Sequence, residues 1–136
     1  MRTVDLLSTP NNPKPQGAIV EMVTTRDGVH LRTARFLPTD NFLPGGKPVG
    51  TVCLFQGRAE CIEKYYEVIE ALRRRGFVVA TMDWRGQGLS DRALKKPMRG
   101  HVRHFTHYQR DLEGFLTEIV SPHCPAPYFA FAHSMG

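Results

Sequence analysis

The segment with the clearest chemical potential is Ala132-His133-Ser134-Met135-Gly136, which follows directly on the aromatic run Pro127-Tyr128-Phe129-Ala130-Phe131. A serine with small residues at i−2 and i+2, straight after strand-forming sequence, has the layout of a nucleophile elbow. The small flanks have a steric reason. The serine sits at the apex of a strand-to-helix turn so sharp that its backbone is strained, and larger side chains two residues away would collide. Ala132 stands where glycine is more usual, and its methyl group still meets that requirement. The chemistry such a serine serves is acyl transfer, which needs backbone N–H groups aimed at the oxygen that develops negative charge. One donor is the amide of the residue after the nucleophile, Met135. The other comes from the loop after an earlier strand, with Arg58 as the candidate and Gln56-Gly57 leading into it. Gly57 lets that backbone approach closely. A plainer reading makes Gln56-Gly57 a simple turn, so the surrounding elements have to decide.

Those elements form a consistent series. Residues 1–17 hold Pro10, Pro13, Pro15 and Asn11-Asn12, and read as an irregular N-terminal arm. Ala18 to Thr25 has strand character, Asp27-Gly28 favours a tight turn, and the alternating Val29 to Phe36 returns as an antiparallel partner with one polar face. Val49 to Phe55 is nearly continuous in apolar character, as expected of a strand covered on both faces. A helix follows, with Ile62, Tyr65, Tyr66, Ile69 and Leu72 on one face, Arg73-Arg74-Arg75 in its last turn and Gly76 as its stop. Phe77 to Asp83 is the next buried strand. Strand, helix and strand make a right-handed crossover and imply a parallel sheet. The loop Trp84 to Asp91 is punctuated by glycine, and Arg92 to Arg103 is basic and reads as exposed. A second amphipathic helix carries Phe105, Tyr108, Leu112, Phe115, Leu116 and Ile119, and a final strand leads to Ser134. The class is therefore α/β: an antiparallel hairpin followed by a β-α-β-α-β parallel sheet, with active residues expected at the carboxyl ends of the parallel strands.

Composition narrows the field of functions. A chain of 136 residues can bury a real core, and its net charge of +5 is spread along the sequence apart from Arg73-Arg74-Arg75 and the Lys95 to Arg103 stretch. No basic stripe with interleaved aromatics appears, which argues against a nucleic-acid partner and for solvated helix and loop faces. Attraction to an anionic membrane surface is a second reading of the same charge. Cys53, Cys61 and Cys124 are odd in number and lack metal-ligand spacing, so three reduced thiols in a cytoplasmic protein are expected. The N-terminus has no apolar stretch of signal-peptide length, and no run approaches a transmembrane span. His101-x-x-His104-x-x-His107 has a spacing suggestive of metal binding but no carboxylate or cysteine partner in pattern, so no metal is expected.

Three motifs together carry a resemblance. Gln56-Gly57-x-x-Glu60 with Tyr65-Tyr66, Asp83-x-Arg85-Gly86-x-Gly88-x-Ser90, and Ala132-His133-Ser134-Met135-Gly136 are similar to the lysophospholipase and monoacylglycerol-lipase branch of the α/β-hydrolases in order and in spacing. The likeness runs from about Ile19 to Gly136 and implies that residues 18–136 are the N-terminal part of an α/β-hydrolase domain. By position it implies Ser134 as nucleophile and the amides of Arg58 and Met135 as oxyanion hole. Asp83 and Ser90 resemble structural members of their loop rather than catalytic groups. The chain departs from the family at Gln56, where His-Gly is usual, and at Gln87, where histidine is usual. Both departures bear on substrate specificity more than on the backbone oxyanion role.

In this branch the acid and the histidine of the triad follow the serine in the sequence, and Gly136 is the last residue here. His133 adjoins Ser134, but neighbouring side chains at such a turn diverge. The expectation is a serine hydrolase of carboxylic esters working through an acyl-enzyme, without a cofactor, on a small-molecule lipid ester. The 136-residue stretch by itself is expected to be inactive and poorly soluble, with the Tyr128–Ala132 strand left as an apolar edge. The rival readings are a non-catalytic binding protein on the same fold and a hydrolase of another class, such as an aminopeptidase. The expected location is cytoplasmic, with peripheral contact to the inner face of the membrane as an addition. Acyl chain, head group and oligomeric state are not encoded in the motifs.

Overall fold

A computed structural model of the chain describes residues 5–38, 46–57, 60–90 and 105–133. Five strands form one sheet: β1 (Ala18–Thr24), β2 (His30–Phe36), β3 (Gly50–Phe55), β4 (Phe77–Met82) and β5 (Tyr128–Ala132), in the spatial order β1-β2-β4-β3-β5. β1 pairs with β2 and β2 with β4 in antiparallel sense, whereas β3 runs parallel to both β4 and β5. This is the N-terminal portion of an α/β-hydrolase fold.

The hairpin joining β1 to β2 closes through Arg26-Asp27-Gly28. Thr25 N–H bonds to the Val29 carbonyl at 2.8 Å, and Gly28 takes φ +85°, a region open to glycine at little cost. The loop is one residue longer than the two-residue turn an Asp-Gly pair favours. Thr25 accounts for the extra residue, because its Oγ1 accepts from Val29 N–H at 3.0 Å and donates to Asp27 Oδ1 at 2.6 Å.

Every residue of β3 is buried, as its continuous apolar run requires. Alternation along the strands sends side chains to two separate cores. On one face Cys53, Phe55, Val78, Ala80, Met82 and Trp84 pack against Phe115, Ile119, Val120 and Cys124. On the other, Ala34, Phe36, Leu54 and Val79 pack against Ile62, Tyr65, Tyr66 and Ile69, with Leu6 of the N-terminal arm beneath them. The helical segment after β3 opens as a tight 3-10 turn at Ile62–Tyr65 and continues as α1 (Tyr66–Arg74), ending at Gly76 with φ +90°. The second helical segment is α2 (Phe105–Phe115), widened to a π turn over Leu116–Val120 and closed by a short turn at Ser121–His123.

Two expectations are corrected here. The helical spacing places Leu116 on the buried face of the second helix, yet it is exposed, while Val120 and Cys124 are buried. The π turn inserts extra backbone per revolution and turns the last residues of the helix relative to an unbroken α pattern. The sequence places Arg73 in a basic trio on a solvated helix end. It is buried: its Nε donates to the Leu37 carbonyl at 2.6 Å, one terminal nitrogen to the Gln16 carbonyl at 2.8 Å, and the other to Glu70 Oε1 at 2.7 Å. Its guanidinium also lies over the Phe36 ring. The helix end thus fastens the chain on either side of the hairpin.

β5 carries strand sequence as expected, but its side chains are exposed, including Tyr128, Phe129 and Phe131. It is the outermost strand on its side of the sheet. Gly50 permits its approach, since a Cβ there would lie 2.5 Å from the Pro127 carbonyl oxygen. The three cysteines are unpaired, and burial pushes the Cys53 thiol up to about 11. No helix among the described residues is long and apolar enough to cross a membrane.

Candidate active site

Ser134, Met135 and Arg58 lie outside the described residues, as do Lys95 to Arg103 with His101 and Arg92 to His104 generally. Gln56, Gly57 and Asp83 are described, and they fall where the carboxyl ends of β3 and β4 emerge. β5 runs beside β3 to its end: the ladder continues one residue further, with His133 N–H donating to the Phe55 carbonyl at 3.0 Å. The residue before Ser134 is therefore hydrogen-bonded to the residue before Gln56. The parallel strands β3, β4 and β5 thus end at the same edge of the sheet.

The loop after β3 is held by its own chemistry. Gln56 is fully buried. Its carbonyl accepts from Trp84 Nε1 at 3.0 Å, and its Oε1 lies 3.4 Å from Thr81 Oγ1. Gly57 N–H donates to Glu60 Oε1 at 2.6 Å. The same oxygen accepts the Tyr65 hydroxyl at 2.6 Å and lies 3.5 Å from His133 Nδ1, while Glu60 Oε2 pairs with Lys64. Tyr65 Oη is 3.2 Å from His133 Nδ1. Lys64 and the Tyr65 hydroxyl hold the Glu60 carboxyl down to about 2, and burial together with Glu60 pushes the Tyr65 phenol up to about 12. Tyr65 and Tyr66 do pack in the core as read from sequence, but both hydroxyls are also used, that of Tyr66 on the Leu7 carbonyl at 2.6 Å.

Gln87 has a specific task at the position where the resembling family usually has histidine. Its Oε1 accepts the backbone N–H of Glu60 at 3.1 Å and so joins the loop after β4 to the loop after β3. Among the described residues, the Nε2 groups of Gln56 and Gln87 are buried without a hydrogen-bond partner.

Asp83 is held by its own loop and by two neighbouring elements. Its Oδ1 accepts from Ile62 N–H at 3.0 Å; its Oδ2 accepts from Arg32 Nε at 2.7 Å and Leu89 N–H at 3.0 Å. Burial pushes its carboxyl up, against the pull of Arg32 and of those two amides. Ser90 Oγ donates to the Asp83 carbonyl at 2.7 Å and accepts from Arg32 N–H at 2.8 Å. Arg32 is fully buried, and it also grips Glu63 with both terminal nitrogens, at 2.7 and 2.6 Å, and the Asp5 carbonyl at 3.0 Å. A second arginine completes the support. Arg85 Nε donates to Asp111 Oδ1 at 2.7 Å, and its terminal nitrogens form a fork on Asp27 at 2.9 and 3.1 Å. That pairing holds the Asp27 carboxyl well below the usual carboxylate range.

Sequence reasoning found Asp83 and Ser90 but not their partners. Arg32 sits in a strand of alternating character and reads as a solvent-facing cation, and Glu63 reads as an ordinary residue of a helix start. No local signal distinguishes a buried arginine from an exposed one when its two acids lie 31 and 51 residues away. Among the described residues no group of His, Cys, Asp and Glu is arranged to hold a metal ion.

The chain is similar to known proteins. A family model described as serine aminopeptidase, S33 (Hydrolase_4) matches residues 46–136. Lysophospholipase L2 of Escherichia coli (strain K12) is 41% identical over 85 residues, which is 62% of this chain and 25% of that protein. Phospholipase YtpA of Bacillus subtilis (strain 168) is 31% identical over 90 residues, 66% of this chain and 32% of that protein. The chain thus spans about a quarter to a third of the length of these curated relatives. Among solved structures, a soluble variant of monoglyceride lipase from Saccharomyces cerevisiae in complex with a substrate analog superposes with a TM-score of 0.66 at 24% identity, over 93% of this chain and 39% of that one. The last comparison bears on fold alone.

Proposed function

The chain belongs to the Hydrolase_4 (serine aminopeptidase, S33) family, and from that premise we propose that it serves a serine hydrolase of carboxylic esters, lysophospholipase-like or monoacylglycerol-lipase-like. Ser134 is the nucleophile, and the backbone N–H groups of Arg58 and Met135 receive the oxyanion. The observation that carries the reading is the bond from His133 N–H to the Phe55 carbonyl, 3.0 Å long. It supports a serine and a donor loop issuing side by side from neighbouring parallel strands, which is what attack on a carbonyl and capture of its oxygen require together. Gln56, Gly57 and Asp83 act as loop support.

In the proposed reaction Ser134 Oγ attacks the ester carbonyl while its proton passes to a histidine, which in the resembling family follows the serine in sequence. The C–O bond to the alcohol breaks, and the alcohol leaves with that proton. Water then adds to the acyl-serine, returns a proton through the same histidine and releases the fatty acid. No cofactor takes part. A lipid ester at a bilayer surface is the substrate class favoured by the curated relatives' names and by the net charge of +5.

The family's description favours a second reading, an aminopeptidase. The two part on substrate. In the protein expressed from its complete reading frame, a fluorophosphonate serine probe should label Ser134, and Ser134→Ala should abolish the labelling. A lysophospholipid or monoacylglycerol should be cleaved faster than an aminoacyl anilide. Faster cleavage of the anilide would favour the peptidase, and a folded protein without labelling would favour a non-catalytic binder.

A further inference from the structure

We infer that Glu60, Tyr65 and His133 form a positioning clamp that fixes the loop carrying the oxyanion donor against the strand end carrying the nucleophile. The inference rests on the reading of Ser134 and Arg58 given above and adds residues to it. One carboxylate oxygen, Glu60 Oε1, receives Gly57 N–H and Tyr65 Oη, each at 2.6 Å, and lies 3.5 Å from His133 Nδ1. The Tyr65 hydroxyl closes the triangle at 3.2 Å from the same ring nitrogen. Gly57 directly precedes Arg58, and His133 directly precedes Ser134. The clamp therefore grips the residue before each of the two groups that must meet one substrate atom.

A local role does not account for the arrangement. A carboxylate serving only to start the turn at Ile62–Tyr65 would need nearby amides. It would not need a contact with a ring 73 positions away, a tyrosine hydroxyl shared with that ring, or an amide tied to Gln87. Glu60 stays ionised and Tyr65 stays protonated through the neutral range, so the acceptor and donor are both in the form the triangle uses. Misplacing a reacting group by about 1 Å can cost about 100-fold in rate, which is the scale of effect a clamp of this kind controls. Glu60, Tyr65 and His133 are positioning residues here, since they act through the neighbouring amide and hydroxyl.

The test uses Glu60→Gln and Tyr65→Phe in the protein expressed from its complete reading frame, with a short-chain aryl ester and a fluorophosphonate probe. Each variant should lower kcat about 10- to 100-fold with KM within about threefold, because the loss falls on alignment rather than on ground-state binding. The double variant should be little worse than the poorer single one, as expected of groups acting as a unit. The 15N shift of His133 Nδ1 should move in both variants, a readout that a remote structural role leaves unchanged. If Glu60→Gln melts early, Tyr65→Phe, which removes a single oxygen, carries the test. Normal kcat with full labelling in a folded Tyr65→Phe protein would overturn the clamp and leave the serine hydrolase standing. An unlabelled wild-type protein would overturn that reading, and the clamp's role with it.

Discussion

Replacing Arg32 by methionine probes how the active-site end of the sheet is held. Arg32 is fully buried and donates to Asp83, to both oxygens of Glu63 and to the Asp5 carbonyl. Methionine fills much of the same volume but leaves two carboxylates facing each other without a cation. Breaking a buried ion pair by removing one partner costs about 3–5 kcal/mol, because the remaining charge is left uncompensated. With an m-value of about 2 kcal/mol/M, that corresponds to a urea midpoint lower by about 1.5–2.5 M. The deficit should also depend on pH in a definite direction. Burial pushes Glu63 up, and Arg32 with the Leu7 amide brings it net below the ordinary glutamate value. Without Arg32, burial, the largest influence on Glu63, is opposed chiefly by the Leu7 amide, and the folded value is expected to rise above the unfolded value of about 4.3. A group raised on folding supports stability below its unfolded value and withdraws it as pH rises through the folded one. Arg32→Met should therefore be closest to wild type near pH 4 and fall furthest behind near pH 7. Urea titrations at both pH values test this. A deficit under about 1 kcal/mol at pH 7, or one that stays flat between the two, would refute the account of Arg32 as the charge that holds this corner together.

Two further outcomes follow from the same geometry. At Gly88, φ is +53° and an added Cβ would lie 2.2 Å from the Asp83 carboxyl carbon, whereas Gly28 has φ +85° with nothing within 4 Å of the added carbon. Gly28→Ala should cost only the left-handed backbone strain of about 1–2 kcal/mol, and Gly88→Ala clearly more; equal melting temperatures for the two would show that Asp83 yields. The apolar edge of β5 predicts self-association of the 136-residue chain, and Phe131→Lys should lower its light scattering at equal concentration, with unchanged scattering counting against edge pairing.

What the sequence discloses about this protein divides along a physical line. Strand positions, the parallel crossover and the two opposed cores follow from periodicity, because burial of apolar side chains is local in pattern and repeats with the geometry of the element. The runs around Val52 and Val79 could be assigned for that reason. Leu116 could not, since the π turn that swings it outward changes the period within the helix that the pattern assumes constant. Charged residues are harder still. Arg73, Arg32 and Arg85 are all buried, and apart from the Glu70 contact of Arg73 each is satisfied by partners remote in sequence, so little in their immediate neighbours marks them. Asp83 and Glu60 were legible only through their motifs. The motifs gave their positions but not the hydrogen bonds that explain them. Ser134, Arg58 and Met135 rest on the motif and on the placement of their neighbours Gly57 and His133.

The distribution of these charges has a consequence for how the site can be rigid while the sheet around it is ordinary. Arg73 aside, the buried ions named here gather where β3, β4 and β5 end and β2 begins: Arg32 beside Asp83 and Glu63, and Arg85 beside Asp111, with the exposed Asp27 on its outer side. Apolar contact is non-directional and tolerates small slips, whereas a forked guanidinium on a carboxylate fixes both distance and angle. The sheet's interior needs only the first kind of force. Loops that must present an amide and a hydroxyl to one atom need the second. Arg85 shows the division clearly, because it ties the loop after β4 to the β1–β2 turn and to α2. Glu60 and Gln87 then join that secured loop to the one after β3. Positional accuracy thus passes from Asp27 and Asp111 through Arg85 and Gln87 to Glu60, and the hydrophobic cores on either face are left to supply stability.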